Sequence, residues 1–303
     1  MVNAPIGTVT TAAELNLRSG QPNSSAPLVG QIEKSSVLVV IATVQGQAIN
    51  GNAQWYAGLN DIYFWSGACG ALKSAPVLTA PAPPAASGAL SGNVVAAPQG
   101  MLGFDCDFEL TAQGVATYVS QGYKFCVRYI TRAQPTEQPG DLTAAEANTI
   151  LAGGLALMAV QHVAASPWTP SQSLGTQYGA NAVSCAKEVG LPAGMNIWLD
   201  LEGVASGTPS QAVIDYCNAW VAPVVRAGYV PGLYVGANAI LDSDELYWDL
   251  QFSHYWRSGS SVPDVAVRGY QLFQRIPPGD ADIDQDVTKA DNLGGTVLWL
   301  VRS

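Results

Sequence analysis

The chain has 303 residues, of which 48% are hydrophobic and only 12% charged, so it can bury a sizeable core and is not a disordered chain. Its net charge is −10, with five lysines and eight arginines, which excludes the clustered cations of a nucleic-acid surface. No apolar run approaches the ~18 residues of a membrane helix, so we expect no membrane insertion, and the length predicts about two domains.

The residues after Met1 contain neither a basic segment nor an apolar one, so we expect no secretory signal and synthesis in the cytoplasm. The five cysteines are Cys69, Cys106, Cys126, Cys185 and Cys217. They form no close pair, and the chain has only two histidines, so we expect no metal site and interpret the cysteines as small buried apolar side chains. No GxxxxGK[ST] motif or strand-linked GxGxxG motif occurs, and we expect no cofactor.

Residues 1–73 are predicted to form a small all-β domain. Short β-branched or aromatic runs at 37–44, 54–59 and 61–68 are separated by glycine, asparagine and proline. The segment holds three acids and three bases, so it carries no net charge. Short strands at this spacing are typical of a small barrel.

The same segment resembles a bacterial SH3 (SH3b) domain. The resemblance rests on the Leu-Asn-Leu-Arg-Ser-Gly opening at 15–20, the Pro-Leu-Val-Gly turn at 27–30, Trp55-Tyr56, and the closing Tyr-Phe-Trp-Ser-Gly at 63–67. It covers nearly the whole segment and implies a module that targets the cell wall or binds protein. A passive spacer with core aromatics is the alternative.

Residues 74–100 contain no charge and are dominated by alanine, proline, glycine and serine. This composition predicts an interdomain linker. The whole net charge of −10 therefore lies in a second domain at 101–303.

From residue 101 onward, short apolar segments alternate with longer helical ones, as in a parallel sheet with helices. Strands are predicted at 101–106, 124–130, 154–162, 195–201, 229–235, 247–253, 270–274 and 281–287. Helices are predicted at 143–154, 178–190 and 210–228. Thr143 and Glu146 match a capping box at the first helix. The prediction is therefore an α/β fold, a TIM-like (β/α) barrel preceded by a small all-β SH3-like barrel.

Several predicted strands carry acids two residues apart near their ends. They are Asp105 and Asp107, Asp200 and Glu202, and Asp282, Asp284 and Asp286. Side chains two apart in a strand share a face, and the first and eighth strands are neighbours in a closed barrel. Carboxyls crowded there repel, so one keeps its proton beside an ionised partner, which is what glycosidic cleavage requires. Solvated, helix-capping or cation-binding acids are the alternative.

Residues 102–287 resemble the glycoside-hydrolase-like barrels of the DUF1906 (Rv2525c-like) family, which are related to the family 25 lysozymes. The motifs are Gly-Phe-Asp at 103–105, Phe-Cys-Val-Arg-Tyr-Ile at 125–130, Asp-Leu-Glu at 200–202, Ala-Gly-Tyr-Val-Pro-Gly-Leu-Tyr at 227–234, Leu-Phe-Gln at 272–274 and Ile-Asp-Gln-Asp-Val at 283–287. Each is short, and their order gives the resemblance its specificity. The resemblance implies cleavage between N-acetylmuramic acid and N-acetylglucosamine in peptidoglycan.

The resemblance also implies catalytic roles. Glu202 is the general acid, and Asp200 positions or stabilises the acetamido group of the reacting sugar. Asp105 matches the aspartate of the first strand. Asp284 best matches that of the eighth strand, with Asp282 and Asp286 as alternatives.

Substrate contacts are expected from His162, Tyr234, Gln274, Trp256 and Arg128. His162 ends the third strand, and a structural role is its alternative. Tyr234 and Gln274 match cleft positions of the family. Trp256, beyond the predicted sixth strand, could stack on a sugar or pack internally. Arg128 could contact substrate or pair with the mouth acids.

Trp198 shares the face of Asp200 and could fill the barrel interior instead of contacting substrate.

The leading hypothesis is a peptidoglycan-directed glycosidase with an SH3b targeting module. A catalytically silent barrel that binds a glycan or the cell wall is the main alternative, and a structural or assembly protein is a third. A wall substrate lies outside the cytosol, so the first hypothesis requires phage lysis or a dedicated secretion apparatus as a delivery partner.

Overall fold

The computed structural model describes residues 6–58, 62–74, 90–133, 140–275 and 282–302. The chain divides into two compact units, residues 1–77 and 78–303. Most of the predicted linker, residues 75–89, lies outside the described residues. So do residues 59–61, which hold the end of one predicted strand and the start of the next, and residue 281 at the start of the predicted eighth strand.

The first unit is built from short antiparallel strands. They are β1 (Gly7–Thr10), β2 (Leu15–Ser19), β3 (Leu28–Ile32), β4 (Val37–Val40), β5 (Ala42–Ile49), β6 (Asn52–Ala57), β7 (Ile62–Trp65) and β8 (Lys73–Ser74). They form a three-stranded sheet in the order β4-β1-β8 and a five-stranded sheet in the order β3-β2-β7-β6-β5. Val9, Leu15, Val40, Tyr56 and Phe64 form its buried core. The all-β prediction for this segment is confirmed.

The second unit contains a closed ring of eight strands. The first described strand of this unit is the short outer strand β9 (Asn93–Ala96). The ring strands are β10 (Leu102–Cys106), β11 (Phe125–Ile130), β12 (Ala156–Gln161), β13 (Asn196–Leu201), β14 (Val230–Val235), β15 (His254–Arg257), β16 (Leu272–Arg275) and β17 (Asp284–Thr288). Each ring strand pairs with its neighbours in the chain, and β17 pairs back onto β10. The ring therefore brings the first and last strands together, as expected.

The eighth strand runs against the expected direction. β10 to β16 are parallel to one another, but β17 is antiparallel to both β10 and β16. The start of β17, not its end, therefore lies at the rim where the parallel strands finish.

Two further sequence expectations were wrong. Residues 247–253 are not a strand, because a π-helical turn occupies Glu245–Asp249 and the sixth ring strand begins at His254. The predicted linker extends too far, because β9 pairs with β18 (Leu298–Val301), which in turn pairs with β12. These two strands extend the sheet of the second unit outside the ring.

Four α-helices lie in the described part of the second unit: α1 (Ala112–Ser120), α2 (Ala144–Ala152), α3 (Gln172–Val189) and α4 (Ser210–Arg226). Helix α1 was not predicted, although Thr111 caps it by accepting a hydrogen bond from the Gly114 amide. Helix α3 starts six residues before its predicted start, at a cap formed by Ser171. None of the helices in the described part of the chain is long and apolar enough to cross a membrane.

Aromatic side chains fill the interior of the ring. Trp198 and Trp256 are fully buried there and meet edge to face, with ring centroids 5.8 Å apart. Gly232 on β14 allows this packing, because a Cβ at that position would lie 2.3 Å from the Trp198 ring. The interior role expected for Trp198 is confirmed, and Trp256 has the same role.

A buried ion pair supports the ring from outside. Arg128 Nε lies 2.7 Å from Glu146 Oε1 on α2, and both side chains are inaccessible to solvent. The guanidinium also donates to the carbonyls of Cys106 and Gly140. Thr143 caps α2, but the Glu146 carboxylate binds Arg128 and the Leu110 amide rather than completing the expected capping box.

We expect Glu146→Ala to lower the free energy of unfolding by about 3–5 kcal/mol, because it leaves a buried guanidinium without its carboxylate. Denaturant unfolding followed by tryptophan fluorescence measures this. The matched control is Glu188→Ala on the exposed face of α3, expected to change stability by less than about 0.5 kcal/mol. Equal effects of the two variants would contradict a structural role for the pair.

Candidate active site

Four acids expected to be catalytic meet at one rim of the ring. Asp105 lies near the end of β10 and Asp200 near the end of β13, while Glu202 follows β13 directly. Asp284 opens β17 and is the register partner of Asp105. The reversed direction of β17 thus places Asp284 at the rim beside Asp105.

An open groove of about 690 Å³ lies over this rim. Among the described residues, six carboxyl side chains line it: Asp105, Asp107, Asp200, Glu202, Asp282 and Asp284. His162 also lines it, but no lysine or arginine does so among the described residues. The groove is therefore strongly acidic.

Asp105 is nearly buried at the floor of the groove. Its Oδ2 accepts a hydrogen bond of 2.9 Å from Gln274 Nε2, and it also interacts with Tyr129 and Asp286. Burial is the main cause that raises the pKa of Asp105 to about 7, and the negative charge of Asp284 adds to it. The hydrogen bond from Gln274 partly offsets this rise.

Asp286 lies one step deeper along β17 and is fully buried. Its Oδ1 accepts a hydrogen bond of 2.8 Å from Trp256 Nε1. Burial and the neighbouring Asp105 raise the pKa of Asp286 well above its ordinary value, so this carboxyl holds a proton. Asp286 supports Asp105 from below and does not line the groove.

Asp200 is 4% exposed, and its Oδ1 has no hydrogen-bond partner among the described residues. Burial, then Glu202, then Asp105 raise the pKa of Asp200 well above its ordinary value. A carboxyl in this position is protonated until a ligand or partner compensates its charge.

Glu202 is more accessible than Asp105 or Asp200. Its pKa is raised mainly by partial burial and further by the charge of Asp284. Its backbone carbonyl accepts a 2.7 Å hydrogen bond from Trp168 Nε1, which holds the end of β13. Asp284 is also half-buried, and burial raises its pKa. The rim thus offers a proton-holding carboxyl that an incoming molecule can reach.

His162 lines the groove and contacts Asp141 and Tyr129, neither of which was predicted from the sequence. Its Nε2 lies 2.7 Å from Asp141 Oδ1, and its ring stacks on Tyr129 with centroids 4.7 Å apart. Tyr129 also lines the groove. Strand alternation offers the signal for Tyr129, since it shares the inward face of β11 with Phe125 and Val127. Asp141 lies in a loop and gave no sequence signal.

The remaining predicted contacts have other roles. The Tyr234 hydroxyl donates to Gln274 Oε1 at 2.9 Å, so these two residues orient Asp105 from beside the groove and do not line it. Trp256 belongs to β15, not to an exposed loop, and stacks on no sugar because it is buried in the ring. Arg128 faces outward, since it alternates with the inward Val127, and it binds Glu146 instead of substrate or mouth acids.

Comparison with protein families gives one match. Residues 116–296 match the model of the Rv2525c-like, glycoside hydrolase-like domain. This is more than half of the chain, and the protein belongs to that family. No curated protein matches the chain.

Solved structures resemble the chain at low identity. An uncharacterized protein from B. stearothermophilus shares 18% identity over 63% of this chain and 96% of its own, with a TM-score of 0.47. The Tat-secreted protein Rv2525c from Mycobacterium tuberculosis, in complex with HEPES, shares 14% identity over 65% of this chain and 98% of its own, with a TM-score of 0.47. A family 25 glycosyl hydrolase from Bacillus anthracis shares 12% identity over 63% of this chain and 90% of its own, with a TM-score of 0.46.

The raised pKa of Asp105 makes stability depend on pH. Between about pH 4 and 7 the folded protein holds a proton at Asp105 that the unfolded chain releases, so the free energy of unfolding falls as pH rises. We expect Asp105→Asn to be more stable than the parent at pH 8 by on the order of 1–4 kcal/mol, with a smaller difference at pH 4.

Denaturant unfolding at the two pH values measures this difference. Asp107→Asn is the matched control, because Asp107 is exposed two residues further along. It is expected to change stability little at either pH. A difference between Asp105→Asn and the parent that is equal at pH 4 and pH 8 would contradict the inferred burial effect.

Proposed function

We propose that the protein is a peptidoglycan-directed glycoside hydrolase of the lysozyme-like, muramidase type, with Glu202 as its general acid. The observation that carries the proposal is the half-buried Glu202 carboxyl, with its raised pKa, in an open groove beside Asp105, Asp200 and Asp284. Membership of a glycoside hydrolase-like family supports the same reaction class.

Glycosidic cleavage requires one carboxyl that gives a proton to the leaving oxygen and another that stabilises positive charge at the sugar. Glu202 suits the first role, because it keeps its proton above the ordinary glutamate range and can be reached from the groove. Asp200 is nearly buried two residues earlier on β13, where it can accept a hydrogen bond from the acetamido group of the sugar.

Asp284 and Asp105 complete the proposed site. Asp284 is the more accessible of the two and can carry the charge that opposes the oxocarbenium-like centre. Asp105 is fixed by Gln274 and sits between Asp284 and the protonated Asp286. We propose that it shapes the floor and keeps Asp284 in place. His162, held by Asp141, is a proposed substrate contact.

We further propose that the first unit is an SH3b module that targets the cell wall. Its two small antiparallel sheets and the SH3b-like motifs support this assignment. Delivery to the wall by phage lysis or by a dedicated secretion apparatus belongs to the same proposal.

We expect Glu202→Gln to reduce the release of muropeptides with new reducing ends from purified sacculi by about 100-fold or more, because the amide cannot donate the proton. Mass spectrometry of the digests measures this. Glu188→Gln, an exposed amide substitution on α3, is the control and keeps parental activity.

Three other results would contradict the proposal. Products with new amino groups and no new reducing ends would show an amidase or peptidase. Full activity in Glu202→Gln would remove its role as acid. Wall binding by both proteins without any turnover would favour the catalytically silent binding barrel.

The charge of Asp284 helps to raise the pKa of Glu202, so its removal lowers that pKa. The acid form of Glu202 is lost as pH rises through this pKa. We therefore expect the alkaline limb of the kcat/KM profile to move to lower pH in Asp284→Asn. Rates on soluble glycan fragments between pH 4 and 8 measure the limb, with Glu188→Gln as the control. An unmoved limb with reduced rates would show that Asp284 acts without tuning Glu202.

A further inference from the structure

The carboxyls of the groove have no cationic partner in the described ion pairs. Six carboxyls line it, and none belongs to the described ion pairs, which join Arg128 to Glu146, His162 to Asp141 and Arg268 to Asp291. The described residues therefore supply little positive charge to this groove.

One of these acids points more specifically to a ligand. Asp200 lines the groove and is only 4% exposed, and its Oδ1 has no hydrogen-bond partner among the described residues. The terminal torsion of an aspartate is broad and nearly two-fold, so either oxygen can face the groove. An unpaired buried carboxylate is costly, and a cationic donor in the groove would compensate it.

The acids lie at different depths in the groove. Asp107 and Asp282 are exposed at its rim, whereas Asp105 and Asp200 form its floor. No three of the described histidine, cysteine or acidic residues are grouped so as to hold a metal ion. This distribution suits a chain that carries several positive groups better than a single compact ion.

We propose that the groove binds a glycan in which free 2-amino groups replace part of the 2-acetamido groups of its sugars. This rests on the proposed function in so far as the groove takes a glycan. The ammonium at C2 of a sugar on the groove floor donates to Asp200, and further ammonium groups along the chain meet Asp107 and Asp282. A sugar amine fits Asp200 because this carboxyl shares a face with Glu202. In the proposed function, the glycan lies along that face so that Glu202 can reach the bond it protonates.

Calorimetric binding in the Glu202→Gln background tests the proposal, because neither ligand is consumed. The probes are peptide-free tetraglucosamine and its fully N-acetylated counterpart. We expect tetraglucosamine to bind at least about tenfold more tightly at low salt, with the preference shrinking at high salt. Adding Asp200→Asn should abolish most of this preference. Asp107→Asn with Asp282→Asn should reduce it by about two- to fivefold.

Glu188→Gln in the same background is the matched control and keeps the full preference. Equal or weaker binding of tetraglucosamine, or a preference that survives Asp200→Asn, would overturn the proposal. Displacement by Nα-acetyl-lysine amide at equal ammonium concentration would reassign the site to peptide amines, and displacement by stoichiometric Ca²⁺ would reassign it to a metal.

The experiments distinguish a failure of this inference from a failure of the proposed function. Preferential binding of tetraglucosamine by a parent protein that releases no reducing ends would support this inference and overturn the hydrolase. Hydrolysis of sacculi with no preference between the two oligosaccharides would do the reverse.

Discussion

The burial of carboxyl groups without cationic partners is the constraint on which the second unit depends. Asp105, Asp200 and Asp286 are all nearly inaccessible, and burial is the first cause of the raised pKa of each. Such groups cost folding free energy at neutral pH, because the folded state must either keep a proton or bury a charge. The rest of the unit compensates for that cost.

The compensation comes from neutral donors and from aromatic packing. Gln274 donates to Asp105, Trp256 donates to Asp286, and Tyr234 holds Gln274 in place. Trp198 and Trp256 fill the ring beneath them and keep water out. Outside the ring, the basic side chain of Arg128 is occupied by Glu146. This cation is therefore used for structure, and the groove keeps its acidity.

The direction of β17 decides how the acids meet. An antiparallel last strand enters the ring at the mouth, so its first residue, Asp284, faces Asp105, and Asp286 is carried inward. Asp282, which precedes the strand, is exposed, whereas Asp284 is half-buried and Asp286 is fully buried. Two-residue spacing places Asp284 and Asp286 on one face, and burial raises the pKa of both, well above its ordinary value for the deeper Asp286.

The sequence by itself determined the strand-and-helix alternation, six of the eight ring strands to within two residues, and the convergence of acids from strands distant in the chain. These follow from apolar periodicity and from the rule that alternate side chains share a face, both of which are local. It could not determine whether Arg128 or its neighbours face inward, because alternation defines two faces without saying which is the interior. It misplaced the sixth strand, since the aromatic run at 247–253 has the composition of a strand while its backbone forms a π-helical turn. The reversal of β17, the pairing of Asp141 with His162 and the burial of Trp256 were decided only by tertiary structure, because each depends on which distant segment packs against which.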